Sequence, residues 1–363
     1  MSKLGVPRFK FIVLVLSLVS IAAADWKPID PSRKFAFPSD HSSHPETRIE
    51  WWYYTGNLQT TNGRRFGYQL TFFRVGVDPS PANPSRWAVR DLHMAHFAIS
   101  DIGNSRFQFA ELLNRSGIGW AGSLTDRYRV WNEDWSAELS DAGHHILRAQ
   151  RDDIAIELDL ESLKPPVLHG INGYSQKGTQ PSNASSYYSL TRMNTRGRLT
   201  AGGETLDVEG LSWMDHEFGT TFLEKGQIGW DWFALQLDEG TELMFYSFRR
   251  NDSKPDPQSS GTFVEVNGHS LRLDAADVTL EKRRTWTSPS SRAIYPVEWK
   301  FKVSSRSIDL TIQSAFDDQE LHTFQSTGVM YWEGAVTISG TSQGRGYLEM
   351  TGYAGQTLDR VLN

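Results

Sequence analysis

Ile49-Glu50-Trp51-Trp52-Tyr53-Tyr54-Thr55-Gly56-Asn57-Leu58, then a turn at Thr61-Asn62-Gly63, then Arg65-Phe66-Gly67-Tyr68-Gln69-Leu70-Thr71-Phe72-Phe73-Arg74-Val75, is the stretch that decides the fold. Two runs of aromatic and β-branched residues flank an Asn-Gly pair, a strong sequence signal for a hairpin turn, so the stretch predicts two antiparallel strands. Alternate side chains of an extended chain point to opposite faces, which places Glu50, Trp52 and Tyr54 together on one face of the first strand.

Working outward, 92–100, 106–113, 128–139, 145–149 and 154–160 read as further short strands separated by Gly, Asn or Asp turns. The segments 80–85 and 164–186 are rich in Pro, Gly and Ser and read as loops. No long amphipathic helix is visible. The pattern is that of an all-β chain of sandwich or barrel type.

A faint internal repeat gives this pattern a shape. Glu50-Trp51-Trp52-Tyr53-Tyr54 through Arg74 is similar to Gly229-Trp230-Asp231-Trp232-Phe233 through Arg249, each an aromatic strand, a Gly turn and a second aromatic strand. The halves also close alike, with Arg196-Gly197-Arg198-Leu199 through Trp213 set against Glu333-Gly334-Ala335-Val336 through Tyr353. Two tandem β domains are therefore expected, 25–219 and 220–363.

The first 24 residues read as a secretory signal: Lys3, Arg8 and Lys10 precede an apolar run over 11–21, and Ala22-Ala23-Ala24 offers a small-residue cleavage site. A secreted or periplasmic protein, not integral to a membrane, is expected. Removing those three basic residues takes the formal charge from −6 to −9, and no basic run stands out, so nucleic acid is not an expected partner. Cysteine is absent, so neither disulfides nor a thioether lipid anchor is available. Aromatics are the compositional anomaly, with 13 Trp, 12 Tyr and 19 Phe, many in strand-type alternation. Some of them are candidates for the lining of an apolar ligand cavity.

The chemistry concentrates in Gly210-Leu211-Ser212-Trp213-Met214-Asp215-His216-Glu217-Phe218-Gly219. If extended, Trp213, Asp215 and Glu217 share one face, and Met214, His216 and Phe218 share the other. Two carboxylates about 6–7 Å apart in a partly apolar setting raise the pKa of at least one, as a general acid requires near neutral pH. Asp215 is the candidate acid. Glu217 and His216 are the candidate bases, with Glu217 favoured because it shares the face of Asp215. On the expected division this stretch closes the first domain, and sites form readily at domain boundaries.

His93 and His96, with His41 and His44, do not make an expected metal site, because a three-residue offset in a strand sends two side chains to opposite faces. His96 lies in an apolar run and is the better pocket candidate. A serine hydrolase is not expected either: the one Gly-x-Ser-x-Gly, Gly340-Thr341-Ser342-Gln343-Gly344, sits in an all-β pattern that lacks the strand-turn-helix context the motif needs, and Ser212, Asp215 and His216 in one strand cannot form a relay. No cofactor is expected.

Phe37-Pro38-Ser39-Asp40-His41, the stretches 50–58 and 67–74, Ala95-His96-Phe97-Ala98, Trp213 through Gly219, and Tyr331-Trp332-Glu333-Gly334-Ala335-Val336 resemble the AttH-like, carotenoid 1,2-hydratase family. The resemblance spans nearly the whole chain after the leader and implies two tandem lipocalin-like β-barrels. It further implies an apolar, isoprenoid or lipid-like ligand, with the aspartate represented by Asp215 as the acid that starts hydration of a terminal isoprenoid double bond. Exported members of the AttH type, described as secreted hydrolases, accompany an ABC-type export system. A tertiary carbocation formed by such a protonation would be stabilised by aromatic faces, with Trp213, Trp52, Tyr54 and Trp232 as candidates beside Glu50 and His96. A non-catalytic carrier of a lipid or polyene, accessory to such an exporter, is the alternative from a different class.

Overall fold

The two decisive runs pair as an antiparallel hairpin of β1 (Ile49–Gln59) and β2 (Arg65–Gly76), with Gly63 in the turn at φ 83°, a left-handed value that glycine adopts without steric cost. The computed structural model describes residues 26–79, 83–85, 87–221 and 223–355. The expected signal sequence lies outside these residues.

The strands that follow are β3 (Asp91–Asp101), β4 (Arg106–Arg115), β5 (Ala121–Ser123), β6 (Arg129–Asn132), β7 (Trp135–Leu139), β8 (His145–Arg151), β9 (Ile154–Ser162), β10 (Val167–Leu168), β11 (Tyr174–Gln176), β12 (Ala184–Ala201) and β13 (Glu204–Gly219). Then come β14 (Gln227–Leu237), β15 (Glu242–Arg250), β16 (Ser260–Val264), β17 (Ser270–Asp274), β18 (Val278–Thr287), β19 (Ile294–Val303), β20 (Ile308–Ser314), β21 (Glu320–Thr323), β22 (Val329–Gly340) and β23 (Gly344–Met350). The run expected over 128–139 is two strands, because Glu133 turns the chain at φ 55°. The 164–186 loop contains the short strands β10 and β11, which pair with β12.

The fold is all-β, with two antiparallel sheets in tandem. The first, ordered β4-β3-β2-β1-β13-β12-β9-β8-β7-β6-β5, is nearly closed into a lipocalin-like barrel. The second, ordered β17-β16-β15-β14-β23-β22-β20-β19-β18, is a half-barrel. The run β2-β1-β13-β12-β9 recurs in the second sheet as β15-β14-β23-β22-β20. Register confirms the opening repeat, since Tyr53 faces Thr71 as Trp232 faces Tyr246. The closing repeat is corrected. Tyr53 lies opposite Asp215 and Trp232 lies opposite Glu349, so Asp215 corresponds to Glu349, and the sequence matches of Arg196 with Glu333 and of Trp213 with Tyr353 are out of register. The cause is length: β12 and β13 have 18 and 16 residues against 12 and 7 in β22 and β23, so similar turns do not mark equivalent positions.

Nearly every residue of β1 is buried, because both of its faces are covered. Trp52, Tyr54 and Leu58 enter the first barrel core with Phe66, Tyr68, Leu70 and Phe72. Tyr53 points the other way, into a separate cluster with Tyr187, Trp213, Trp232, Tyr246 and Tyr347 that glues the sheets together. In this packing β1 lies over β23, β2 over β22 and β12 over β14. The approach is close: a Cβ on Gly67 would come within 2.8 Å of the Ala335 Cβ. Polar ties cross the same interface. Glu242 of the second sheet accepts Lys164 Nζ at 2.7 Å and Arg192 Nε at 2.5 Å, and Gln236 donates to the Thr191 and Ser212 carbonyls at 2.8 and 3.0 Å.

Candidate functional site between the sheets

The alternation expected for β13 is present. Asp215 and Glu217 line a cavity of about 130 Å³ between the sheets, while His216 points into the first barrel. Asp215 is buried and accepts three hydrogen bonds, from Trp213 Nε1 at 2.6 Å and Ser189 Oγ on Oδ1, and from the Tyr187 hydroxyl at 2.5 Å on Oδ2. Ser189 Oγ also meets His169 Nε2 at 2.6 Å, and Tyr187 accepts Trp232 Nε1 at 3.1 Å from the opposite sheet. Burial pushes the Asp215 carboxyl up to about 7, against the pull of the three donors, and the neighbouring Glu217 adds to the rise. All three donors come from the sheet that carries Asp215, and the carboxyl lines the cavity.

Glu217 is not the free base that alternation alone suggested. Its Oε1 pairs with Lys177 Nζ at 3.0 Å and accepts a hydrogen bond from Ser185 Oγ. Lys177 lies 3.9 Å from the Tyr246 ring centroid and 4.8 Å from that of Tyr187. Burial disfavours the ammonium, but Glu217, Tyr246 and Asp215 together outweigh it and the Lys177 pKa is raised.

The second sheet supplies the facing wall with Trp230, Trp232, Tyr331, Glu333 and Glu349. Trp232 reaches across, edge-on to Tyr53 at 5.0 Å and to Trp213 at 6.4 Å between centroids. His96 also lines the cavity. Its Nδ1 meets the Tyr331 hydroxyl at 2.7 Å and its Nε2 meets Ser326 Oγ at 2.8 Å, and burial holds its pKa near 3, so the ring is neutral.

Glu50, Trp52, Tyr54 and His216 lie away from this cavity, inside the first barrel. Trp52 stacks on His216 at 4.9 Å, and Tyr54 bonds Tyr128 at 2.6 Å and His145 at 2.8 Å. Glu50 Oε1 meets His44 Nδ1 at 2.9 Å and His216 Nε2 at 3.0 Å, while its Oε2 accepts Arg74 Nε at 3.0 Å. His44, Glu50 and His216 bring their ligand atoms within 4.8 Å of one another, a spacing that could hold a metal ion. The Arg74 guanidinium already neutralises this carboxylate, and the imidazoles already bond it, so the donor set fits an internal ion-pair network better than a metal. Trp52 and Tyr54 therefore cannot reach a cation formed beside Asp215; Trp51 and Tyr53, on the other face of the same strand, line the cavity instead.

Sequence reasoning missed Lys177, Tyr187, Ser189, Tyr331, Glu333 and Glu349. Lys177 lies in a segment read as loop. Glu349 was reachable through the internal repeat, had Gly210 and Trp213 been aligned with Gly344 and Tyr347 and not with Gly352 and Tyr353.

A family model described as AttH-like matches residues 28–353. Among solved structures, a candidate AttH protein of Nitrosomonas europaea is 33% identical, with 90% of this chain and 99% of that one covered and a TM-score of 0.82. The kievitone hydratase of Nectria haematococca is 19% identical over 92% of this chain and 99% of its own, with a TM-score of 0.69, a likeness of fold. No match is found among curated proteins.

Proposed function

The chain belongs to the AttH-like family, and on that premise we propose that it acts on an apolar, isoprenoid or lipid-like ligand whose end group enters the cavity between the sheets, with Asp215 as the proton donor that starts hydration of an alkene. The observation that carries this reading is the Asp215 carboxyl itself. It is buried, titrates near 7 and has three donors already aimed at it. An acid with a pKa close to the working pH is the effective kind, and a conjugate base solvated in advance by fixed donors needs no reorganisation when the proton leaves.

Protonation of a trisubstituted alkene generates a tertiary cation. Trp51, Tyr53 and Trp232 line the cavity with Asp215, and each ring face in contact would stabilise such a cation by about 0.5–2 kcal/mol; Trp213 acts on Asp215 through its hydrogen bond and does not line the cavity. A cavity of about 130 Å³ is slightly smaller than the ~150 Å³ apolar cavity that holds a benzene molecule. That size suits one isoprenoid unit, so a longer ligand would keep most of its length outside. The fold shared with a hydratase is consistent with this chemistry.

The test is turnover of a phenol bearing a 3-methylbut-2-enyl chain in heavy-oxygen water, with the product weighed by mass spectrometry. Gain of one labelled water by the wild type, and none by Asp215→Asn, is the expected result. Hydration by a folded Asp215→Asn at the wild-type rate would remove Asp215 from the acid role. Recovery from native cells of a bound, unhydrated ligand that stays unchanged on further incubation would favour a carrier accessory to an exporter. Export through the N-terminal leader belongs to the same reading and is checked by fractionation and N-terminal sequencing of the mature protein.

A further inference from the structure

The two sheets present register-equivalent carboxyls to one cavity. Asp215 on β13 lies between Tyr53 of β1 and Ser189 of β12. Glu349 on β23 lies between Trp232 of β14 and Glu333 of β22. The correspondence extends one step further, since Tyr187 stands two residues before Ser189 and Tyr331 two before Glu333. All of these but Ser189 line the cavity, the first set on one wall and the second on the other. The pseudo-two-fold relation thus sets Glu349 on the opposite wall from Asp215.

The environments of the two carboxyls differ in a way that separates their tasks. Asp215 is saturated by donors from its own sheet, whereas Glu349 faces a second carboxyl, Glu333, directly across the ladder. Glu333 is buried, lines the cavity and has no hydrogen-bond partner at its Oε1. Directly opposed side chains in an antiparallel pair have Cβ atoms about 4.5–5.5 Å apart, and two carboxylates at that spacing resist ionising together. Burial raises both carboxyls: the charge of Glu349 lifts Glu333 further, while Glu349 stands at about 8 because burial, helped by the charges of Asp215 and Glu217, outweighs a hydrogen bond from Trp230. Such a pair exchanges one proton as a unit.

We infer that Glu349, with Glu333 sharing its proton, is the second proton-transfer group of this site and receives the proton of the water that captures the cation. This rests on the hydration reading above. In balance, Asp215 gives its proton to the less substituted alkene carbon and the π bond breaks, leaving the other carbon cationic. A water oxygen bonds that carbon and the proton the water loses passes to Glu349. One water is added in all, and the resting state returns when the pair loses that proton and Asp215 regains one through solvent. Because donor and acceptor stand on opposite walls, H and OH add to opposite faces of the double bond.

The test uses the full-length protein and the same 3-methylbut-2-enyl phenol. Glu349→Gln should lower kcat by about 10²-fold with KM changed less than threefold, Glu349→Asp should restore part of the loss, and Glu333→Gln should fall between. Infrared spectra of Asp215→Asn, which lacks the Asp215 proton, should show without substrate a protonated-carboxyl stretch that adding Glu349→Gln weakens, with circular dichroism confirming the fold of each variant. Wild-type kcat in Glu349→Gln while Asp215→Asn is inactive would overturn this inference and leave the acid role of Asp215 standing. Undiminished turnover in Asp215→Asn would instead remove the reading beneath it. If the wild type leaves the phenol untouched, the infrared arm decides: a protonated-carboxyl stretch in Asp215→Asn that adding Glu349→Gln leaves unchanged counts against the pair.

Discussion

Lys177 and Glu217 form an ion pair at 3.0 Å in the wall of the cavity, with side-chain exposures of only 11% and 7%. This contact converts the second carboxylate of the Asp215 strand from a free base into a fixed structural charge. It also carries that charge to the other sheet, through the contact of Lys177 with the Tyr246 ring.

Removing one partner of a buried pair strands the other, so Lys177→Met should destabilise the protein by about 3–5 kcal/mol. The double variant Lys177→Met, Glu217→Gln should recover most of that loss. A double-mutant cycle in urea measures both. Additive effects of the two substitutions would show that the pair is not coupled.

The stability of Asp215→Asn relative to the wild type should depend on pH. The folded-state carboxyl titrates near 7 and the unfolded one near its ordinary value, so between about 4 and 7 the folded state binds the extra proton. The Asp215 contribution to wild-type stability therefore falls as pH rises through this window, and the Asn variant escapes that fall. Its advantage should grow from pH 4 to pH 8 by up to about 4 kcal/mol, as read from denaturant midpoints at the two pH values.

The two faces of the barrel wall are separable by Trp→Phe substitution. Trp213→Phe keeps a ring but removes one donor from the Asp215 carboxylate, so its pKa rises and the alkaline limb of any turnover profile should move to higher pH. Trp52→Phe removes a hydrogen bond to the His41 carbonyl inside the barrel. It should cost about 1 kcal/mol of stability and leave the profile in place.

Acid should unfold the protein earlier than its carboxylates alone require. Burial holds His41, His93 and His96 near 3, and places His145 and His169 well below the ordinary imidazole value. These rings stay neutral when folded and charge when unfolded. Stability should fall as pH drops below about 6.5, each ring contributing about 1.4 kcal/mol per pH unit. Urea titrations at pH 7, 6 and 5 give the slope directly, and a flat response across that range would show that the rings charge without unfolding.

The hairpin at 49–75, the all-β class and the face shared by Trp213, Asp215 and Glu217 were legible because period-two alternation survives in those stretches. The membership of Glu50, Trp52 and Tyr54 in the site was not. In Trp51-Trp52-Tyr53-Tyr54 both faces are aromatic, since one fills the barrel and the other the gap between sheets, and hydrophobicity then carries no information about which face meets the ligand. Lys177 was illegible for another reason: its segment has loop composition, and only its short pairings with β12 bring it beneath the strand that carries Asp215. Glu333 and Glu349 read as unremarkable strand residues until register placed them opposite one another.

The cavity draws its walls from two hydrogen-bond ladders that exchange no strand among the described residues. It is therefore a seam between two plates, not a hole within one. Sliding one plate over the other would widen the seam without breaking a rung of either ladder, the shear type of motion that packed elements tolerate. The resistance to that slide includes the clasp of Lys164 and Arg192 on Glu242, Trp232 wedged between Tyr53 and Tyr187, and the bonds of His96 to Tyr331 and Ser326. Some of these latches stand in the reactive wall itself, since Tyr187 joins Trp232 to Asp215, so that opening the seam there and unsettling the Asp215 hydrogen bonds are one mechanical event.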